Sequence, residues 1–288
     1  MLSPPESFHR KIFVKSGFFR RKSDQKWIQR FKCTQCKMVF STATFDPCYR
    51  QNKRHLNTSI FNQLSSGTSQ RRTAYLLSIN RKTVKRKFLF LGKQSILLLR
   101  KFNLGFPKAN LVEFDDLETF EHSKCKPLSV TLAVEGKTRR VLGFSVSRMP
   151  SKGLLVRKAL KKYGLRPDER AIGRKYLFCS LKGLVDEKVV IKSDQNPHYP
   201  EDVKTHFKEA THITYKGRRG AITGQGELKK IYFDPLFSLN HTCAKMRANI
   251  NRLFRKTWST TKKIDRLRYH LAIFCLYHNR SLYARKRV

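Results

Sequence analysis

The sequence predicts a mixed α/β fold, in which a five-stranded sheet with flanking helices follows two smaller N-terminal parts. Between residues 109 and 215, three runs rich in β-branched and aromatic residues come first, and further apolar runs then alternate with helical patterns. Between residues 55 and 88, apolar residues recur at helical spacing, and a short cysteine motif lies upstream of them. These patterns predict three parts, residues 1–50, 51–105 and 106–288.

The composition excludes several classes of protein. The 288 residues include 62 Lys or Arg but only 20 Asp or Glu, which gives a net charge of +42. Such a charge favours a polyanionic partner, and nucleic acid is the usual one. Because 40% of the residues are apolar and 21 are Phe, the chain is not a disordered basic tail. No apolar run approaches the ~18 residues of a membrane span, and no signal-peptide core is evident, so we expect a cytoplasmic protein without a membrane partner.

The charges are segregated along the chain. Sixteen of the 20 carboxylates lie in residues 106–237, whereas residues 1–105 and 238–288 are strongly cationic. This distribution favours a DNA-binding N-terminus, a central block with catalytic carboxylates, and a C-terminal helix that also contacts phosphate. The alternative is charge that serves solubility alone, which gives the acidic residues no reason to cluster.

The first part contains a CxxC motif, Cys33 and Cys36, between aromatic residues. This spacing suits two thiolates on one zinc ion, as in a zinc ribbon. A closed site requires two more ligands, and the sequence offers only His9 upstream and Cys48 downstream, with no second CxxC. The alternative is a metal-free ribbon-like segment held together by its aromatic side chains.

The second part has the pattern of a helix-turn-helix unit. An apolar helical face runs through residues 55–64, Ser69 caps a second helix, residues 78–80 form a tight turn, and a third helix begins at Arg81. That third helix would lie in the major groove of DNA, with its basic side chains near bases or phosphates. The predicted DNA contacts are Arg71, Arg81, Lys82, Lys85 and Arg86. The alternative is a three-helix packing module with a solvated basic face.

The third part supplies the predicted sheet. Strands are predicted at 109–117, 128–134, 141–147, 188–192 and 212–215, and helices at 152–163, 166–181, 201–208 and 239–258. Three strands in a meander, followed by helix, strand, helix and strand, are the element order of an RNase H-like domain.

The predicted order of strands and helices indicates a role for two carboxylates. Asp115 lies on the first strand and Asp194 at the end of the fourth, and these strands are neighbours in an RNase H-like sheet. Two carboxylates held close together both stay ionised only at a high cost unless a cation lies between them. Hard oxygen ligands select Mg²⁺ or Mn²⁺, and two such ions serve phosphoryl transfer. The alternative for each residue is a turn cap or a surface carboxylate.

A third ligand is expected from an element packed beside these strands. Glu227 lies in a glycine-rich segment, and Asn240 lies at the start of the predicted helix over 239–258, where its amide oxygen can bind a hard metal. The same helix carries cations that cannot all face a core, so we expect one side of it to contact DNA. These cations are Arg247, Arg252, Arg255 and Lys256.

The chain resembles the transposases of bacterial insertion sequences, in particular the family of insertion sequence 1, from about Phe13 to Asn279. The order and spacing of several segments carry the resemblance. They are RFKCTQC at 30–36, the helix-turn-helix pattern through Lys87, EFDDLE at 113–118, IKSD at 191–194, NHT at 240–242 and RLFRKTW at 252–258.

The resemblance implies a zinc-ribbon and helix-turn-helix N-terminus, an RNase H-like domain with a DDE triad, and metal-dependent cleavage of DNA at inverted repeats followed by joining to a target. By position, Asp115 and Asp194 match the first two carboxylates of that triad. Asn240 matches the third in one register and Met246 in the other; related groups use Asn, so the first register is preferred. The chain departs from the family pattern in this amide and in its missing upstream CxxC.

The resemblance also implies the partners and the setting. These are double-stranded DNA, as terminal repeats and as target, and further copies of the same chain on that DNA, at the nucleoid of a bacterium. Two alternatives stay open. An RNase H-like nuclease without strand joining would use the same carboxylates, and a transposase-derived DNA-binding regulator would have no need for them.

Overall fold

A computed structural model describes residues 12–216, 234–254 and 257–284, except the side chain of Thr257. The chain divides into two compact units, Met1–Ser59 and Ile60–Val288. Within the described ranges, no helix combines the length and the apolar character that crossing a membrane requires.

The first unit is built on an antiparallel sheet with the strand order β1-β2-β3. Its elements are β1 (Phe13–Arg20), β2 (Trp27–Cys33), β3 (Val39–Ser41) and a 3₁₀ helix at Thr42–Phe45. One aromatic residue from each strand joins the sheet: the ring centroids of Phe31 and Phe40 are 5.5 Å apart, and Phe13 lies 5.8 Å from both. Ring contacts of this kind stabilise a sheet that has little other core.

Three helices precede the large sheet: α1 (Leu56–Ser65), α2 (Gln70–Leu76) and α3 (Arg81–Leu104). Capping residues explain where two of them begin. The Ser69 hydroxyl accepts a hydrogen bond from the Arg72 N–H (3.2 Å), and Asn80 Oδ1 accepts one from the Lys82 N–H (2.8 Å). The three helices expected in this region are therefore present, and α3 continues far beyond residue 88.

Helix α3 packs against other elements of the second unit along much of its length, as contacts at Gly92 and Asn103 illustrate. Gly92 packs against α8 (Ile264–Ala284) so closely that a Cβ on Gly92 would lie 2.3 Å from the Tyr269 Cβ. Near the helix end, Asn103 Nδ2 donates to the backbone oxygens of Val141 (3.0 Å) and Leu142 (3.1 Å). Both the position and the rotation of α3 are thereby fixed.

The large sheet has the strand order β6-β5-β4-β7-β8. Its strands are β4 (Ala109–Phe120), β5 (Pro127–Glu135), β6 (Val141–Arg148), β7 (Val185–Asp194) and β8 (Thr211–Tyr215). β4, β5 and β6 form an antiparallel meander, whereas β7 is parallel to β4 and β8 is parallel to β7. The predicted mixed five-stranded sheet with flanking helices is confirmed.

Five α-helices accompany the large sheet in the described part of the second unit. They are α4 (Leu155–Tyr163), α5 (Arg170–Leu181), α6 (Tyr199–His206), α7 (Phe237–Asn249) and α8. The prediction of one helix over 239–258 is wrong in its second half. α7 ends at Asn249, and Ile250 takes an extended backbone that carries its side chain, fully buried, into the core. Asn249 and Asn251 flank it, and Asn is a poor helix former.

Apolar side chains cover both faces of the sheet. On one face, Leu117 and Leu132 pack with residues of α7 and α8, such as Met246 and Leu271. On the other face, Phe114 and its neighbours pack with residues of α5 and α6. Successive β4 residues alternate between these two cores, and this alternation decides what surrounds each acidic residue of the EFDDLE segment.

Candidate active site

The sheet brings Asp115 and Asp194 together. β4 and β7 pair in parallel, with Glu113 opposite Lys192, and the same register continued by two residues sets Asp115 beside Asp194. The Asp194 carboxylate contributes to a raised pKa at Asp115, as expected for two acids in proximity. The two carboxylates predicted from separate segments therefore form one acidic site.

Burial shapes the chemistry of Asp115. Removal from water, together with the charge of Asp194, raises the pKa of its carboxyl from 3.8 to about 6. Two donors hold the group in place: the Asp116 N–H donates to Oδ1 (2.6 Å), and the Tyr199 hydroxyl donates to the same oxygen (3.2 Å). Tyr199 itself is fully buried against Phe114, so it is a fixed donor. The sequence analysis did not identify Tyr199.

Asp194 ends β7 and begins a turn. Its Oδ1 accepts a hydrogen bond from the Asn196 N–H (3.1 Å). The turn that the sequence analysis gave as the alternative to metal binding is therefore present. Burial raises the pKa of the Asp194 carboxyl, and the nearby Asp116 carboxylate adds to the rise. Asp116, which accepts a hydrogen bond from the Thr131 hydroxyl (2.5 Å), is thus a third acid in the neighbourhood that the sequence analysis left without a role.

Helix α7 lies over the Asp115 face of the sheet, held there by a buried acid. Glu113 is 4% exposed, and its Oε2 accepts the Leu239 N–H in the first turn of α7 (2.9 Å). A carboxylate at that place satisfies a helix N–H that has no intrahelical partner. Burial raises the pKa of the Glu113 carboxyl, whereas the Leu239 N–H lowers it.

Asn240 is not brought to the acidic pair. Its side chain is exposed, and Nδ2 donates to Asp234 Oδ2 (2.9 Å). One turn further along α7, Cys243 packs against the core on the Asp115 side. Burial raises the pKa of the Cys243 thiol to about 12, and the Asp115 carboxylate adds to the rise. The α7 residue that faces the pair in this structure is therefore a neutral thiol, and Asn240 as third ligand stays a prediction.

The donor set of the acidic site fits a hard divalent cation. Carboxylate oxygens are the ligands that Mg²⁺ and Mn²⁺ prefer, and burial raises the pKa of both the Asp115 and the Asp194 carboxyl. Within the described residues, no group of three or more His, Cys, Asp or Glu side chains converges on one point. Glu227, the other predicted third ligand, lies outside those residues.

The cations predicted to contact DNA divide into two groups. Those near α2 and α3 are all exposed: Arg71, Arg81, Lys82, Lys85 and Arg86. Arg247 on α7 is exposed as well, whereas Arg255 and Lys256 lie outside the described residues.

Arg252 differs from its expected DNA-facing position. Its guanidinium lies over the Phe88 ring, 5.6 Å from the centroid, and burial lowers the pKa of the group to about 10. Arg252 is thus half-buried against Phe88, in contrast to the exposed cations at the start of α3, and its contact with DNA stays a prediction.

The CxxC motif lies at the end of β2 and in the turn that follows. The backbone N–H groups of Cys36 and Gln35 lower the pKa of the Cys33 thiol, a property that favours the thiolate form needed for zinc. Because the described part of the chain groups no further ligand with these two cysteines, zinc at Cys33 and Cys36 stays a prediction.

A comparison with models of known protein families finds no match to this chain. A comparison with curated proteins finds none either. Its function is therefore argued from its own residues.

Proposed function

We propose that the protein is a metal-dependent DNA transposase with an RNase H-like catalytic domain, which binds terminal inverted repeats and cuts and transfers DNA strands. The proximity of Asp115 and Asp194 on neighbouring parallel strands carries the proposal. A protein that only binds DNA has no use for two partly buried acids that repel each other. The strand order β6-β5-β4-β7-β8 is compatible with the RNase H-like arrangement.

The proposal assigns Asp115 and Asp194 to holding Mg²⁺ or Mn²⁺. A cation bound there would activate a hydroxyl nucleophile and stabilise the leaving oxygen in phosphoryl transfer. Tyr199 and the Asp116 N–H hold the Asp115 carboxylate in one orientation, so its second oxygen is left for a ligand. At neutral pH, above its pKa of about 6, Asp115 is ionised and ready to bind.

The exposed basic start of α3 supports the DNA-binding half of the proposal. Arg81, Lys82, Lys85 and Arg86 share the first two turns of a capped helix, which is how a recognition helix presents side chains to a major groove. α2 precedes it across a short turn, as a helix-turn-helix requires. A complex of two or more copies on DNA, which would bring both element ends together, belongs to the same proposal.

Strand cleavage tests the proposal. A labelled duplex carrying the inverted repeat that flanks the coding region is incubated with the full chain, with and without Mg²⁺ or Mn²⁺. We expect metal-dependent cutting at the repeat end. Asp194→Asn should reduce it at least ~100-fold without weakening repeat binding, because even outer-shell changes at metal sites cost ~10–100-fold.

The matched control is Asp186→Asn, which removes an exposed carboxylate from the same strand and should cut normally. Repeat binding without cutting in any metal would contradict the enzymatic proposal and favour a DNA-binding regulator. Cutting without joining to target DNA would favour a nuclease.

The same assay addresses the third ligand. If Asn240 contributes in the DNA complex, Asn240→Ala loses cleavage and Asn240→Glu retains it. Normal cleavage by Asn240→Ala removes that residue from the site and leaves Glu227 as the candidate. Cys243→Ser preserves the size of the side chain that faces Asp115, so a change in metal preference would assign a role to the thiol.

A further inference from the structure

A pocket lies at the C-terminal end of β4, beside helix α4. Its volume is about 330 Å³, near the lower end of the ~300–1,000 Å³ typical of small-ligand pockets. The lining combines apolar groups of α4 with the polar side chains of Lys126, Arg148, Tyr163 and Arg166. A pocket of this size fits one nucleotide and is too small for a duplex.

Helix α4 is arranged to face a ligand. Of its nine residues, all described, Ala159 is the only one that is buried. Its exposed surface carries both cations and large apolar groups: Val156 is 46% exposed and Leu160 is 55% exposed. The cations are Arg157, Lys158, Lys161 and Lys162, and the helix contains no acidic residue. The element is thus cationic and apolar together, which suits a strand that offers both phosphate and base.

Arg166 has donors that the protein leaves unused. Its Nε and Nη2 are buried and have no hydrogen-bond partner in the described residues. Glu121 Oε2 lies 3.5 Å from Nη2, which balances the charge without making a hydrogen bond. Buried donors without an acceptor are costly. Arg166 lines the pocket, so a rotation of its side chain would bring these donors to a phosphate oxygen or a base carbonyl held there.

Tyr163 provides a flat surface at the same pocket. Tyr163 is 38% exposed, and the ammonium groups of Lys126 and Lys162 lie 4.4 Å and 5.4 Å from its ring centroid. A cation on an exposed ring is a weak contact, whereas a nucleobase stacked on an aromatic ring is a stronger one. A base can therefore replace the Lys126 ammonium on the ring. That ammonium is then free to approach the phosphate of the same nucleotide.

We propose that this pocket holds a single unpaired DNA nucleotide, with the base on Tyr163 and polar contacts to Arg166. The inference rests on the proposed function for the nature of its ligand. β4 joins the two sites: six residues separate Asp115 from Glu121, about 20 Å at strand spacing. That length corresponds to roughly six base pairs of duplex. DNA that is bound at the acidic pair and follows β4 would reach the pocket, and a base can enter it only when it is unpaired.

The test compares two labelled duplexes, one fully paired and one with a single unpaired 2-aminopurine, bound by the full chain without metal. We expect about tenfold tighter binding of the duplex with the unpaired base, as stacking of one base allows, and a change of 2-aminopurine fluorescence on binding. Tyr163→Ala and Arg166→Ala should each abolish the preference, whereas Tyr163→Phe should keep it. Tyr176→Ala, which removes an exposed tyrosine from α5 outside the pocket, is the matched control.

Equal affinity of the wild type for both duplexes would overturn this inference alone, because the proposed function requires only duplex binding and cleavage. A preference that survives both Tyr163→Ala and Arg166→Ala would also overturn it. A protein that binds neither duplex would overturn the proposed function together with the pocket.

Discussion

Asp115 carries a carboxyl group that the fold keeps largely from water and places beside a second acid. In an unfolded chain its pKa is about 3.8, and in the folded protein it is about 6. Between these values the folded protein holds a proton that the unfolded chain has released. Rising pH therefore favours unfolding across this interval. Asp115 thus reduces stability above about pH 4, with its full effect above pH 6.

Asp115→Asn should consequently stabilise the protein at neutral pH. We expect the free energy of unfolding at pH 7.5 to rise by about 1–3 kcal/mol, since one pKa unit corresponds to ~1.4 kcal/mol. The amide oxygen can still accept from Tyr199. The difference should vanish near pH 3.5, and urea denaturation at both values measures it. Asp186→Asn, an exposed change on β7, is the control and should shift stability little. Equal stability of parent and Asp115→Asn at pH 7.5 would refute the argument.

At the scale of elements, Glu113 links the sheet to α7. It lies two residues before Asp115 on the same face of β4, and its bond to Leu239 sets where α7 begins. A single strand therefore supplies one acid to the candidate site and another to the helix that covers it. α7 would lose an anchor if Glu113 changed, and Cys243 would no longer be held near Asp115.

Glu113→Ala should lower the free energy of unfolding by about 1–3 kcal/mol, because it leaves the buried Leu239 N–H without an acceptor. Glu113→Gln keeps an acceptor oxygen and should stay within ~1 kcal/mol of the parent. The control is Glu118→Ala, also on β4, whose ion pair with Lys152 is exposed and worth under ~1 kcal/mol. Chemical denaturation compares the three variants. If Glu113→Ala were as stable as Glu118→Ala, the proposed anchor would be absent.

The sequence predicted the elements where the local pattern and the packing agree. The Ser69 cap and the turn at residues 78–80 marked helix starts, and the apolar runs marked all five strands of the large sheet. It failed for α7, because Ile250 suits a helical face as well as a core position and only tertiary packing decides between them. Tyr199 was missed for a similar reason: no local signal shows that a tyrosine after a turn will reach an acid on another strand.

At the scale of the whole molecule, a net charge of +42 would make the proposed association with DNA strongly electrostatic. Charge counts favour a polyanionic partner, but they do not tell which cations would face it. Arg252 shows why a count of cations is insufficient. In sequence it is one of several neighbouring cations, whereas in the structure it stacks on Phe88. Exposure separates the residues of α3 from such internal cations.

Affinity for repeat DNA should fall steeply with salt, and Arg81→Ala should reveal how the start of α3 contributes. If Arg81 reads a base edge, its loss weakens repeat binding by ~1–3 kcal/mol and affects a scrambled duplex less. Fluorescence anisotropy at several salt concentrations measures both duplexes. Lys188→Ala, an exposed cation on β7, is the control. An equal loss for both duplexes would instead assign Arg81 to phosphate, with a salt slope reduced by about one.

Helix α3 has a consequence for where DNA would be cut. It runs unbroken for 24 residues, about 36 Å, from the exposed cations at Arg81 to the anchor at Asn103. Gly92 packs closely against Tyr269, and this contact defines the position of α3 on α8. The helix therefore sets both a distance and an angle between its cationic end and the acidic pair. One inserted residue would rotate the cationic end by about 100° relative to that pair. The distance between the sequence recognised and the bond broken would then be encoded in the length of one helix.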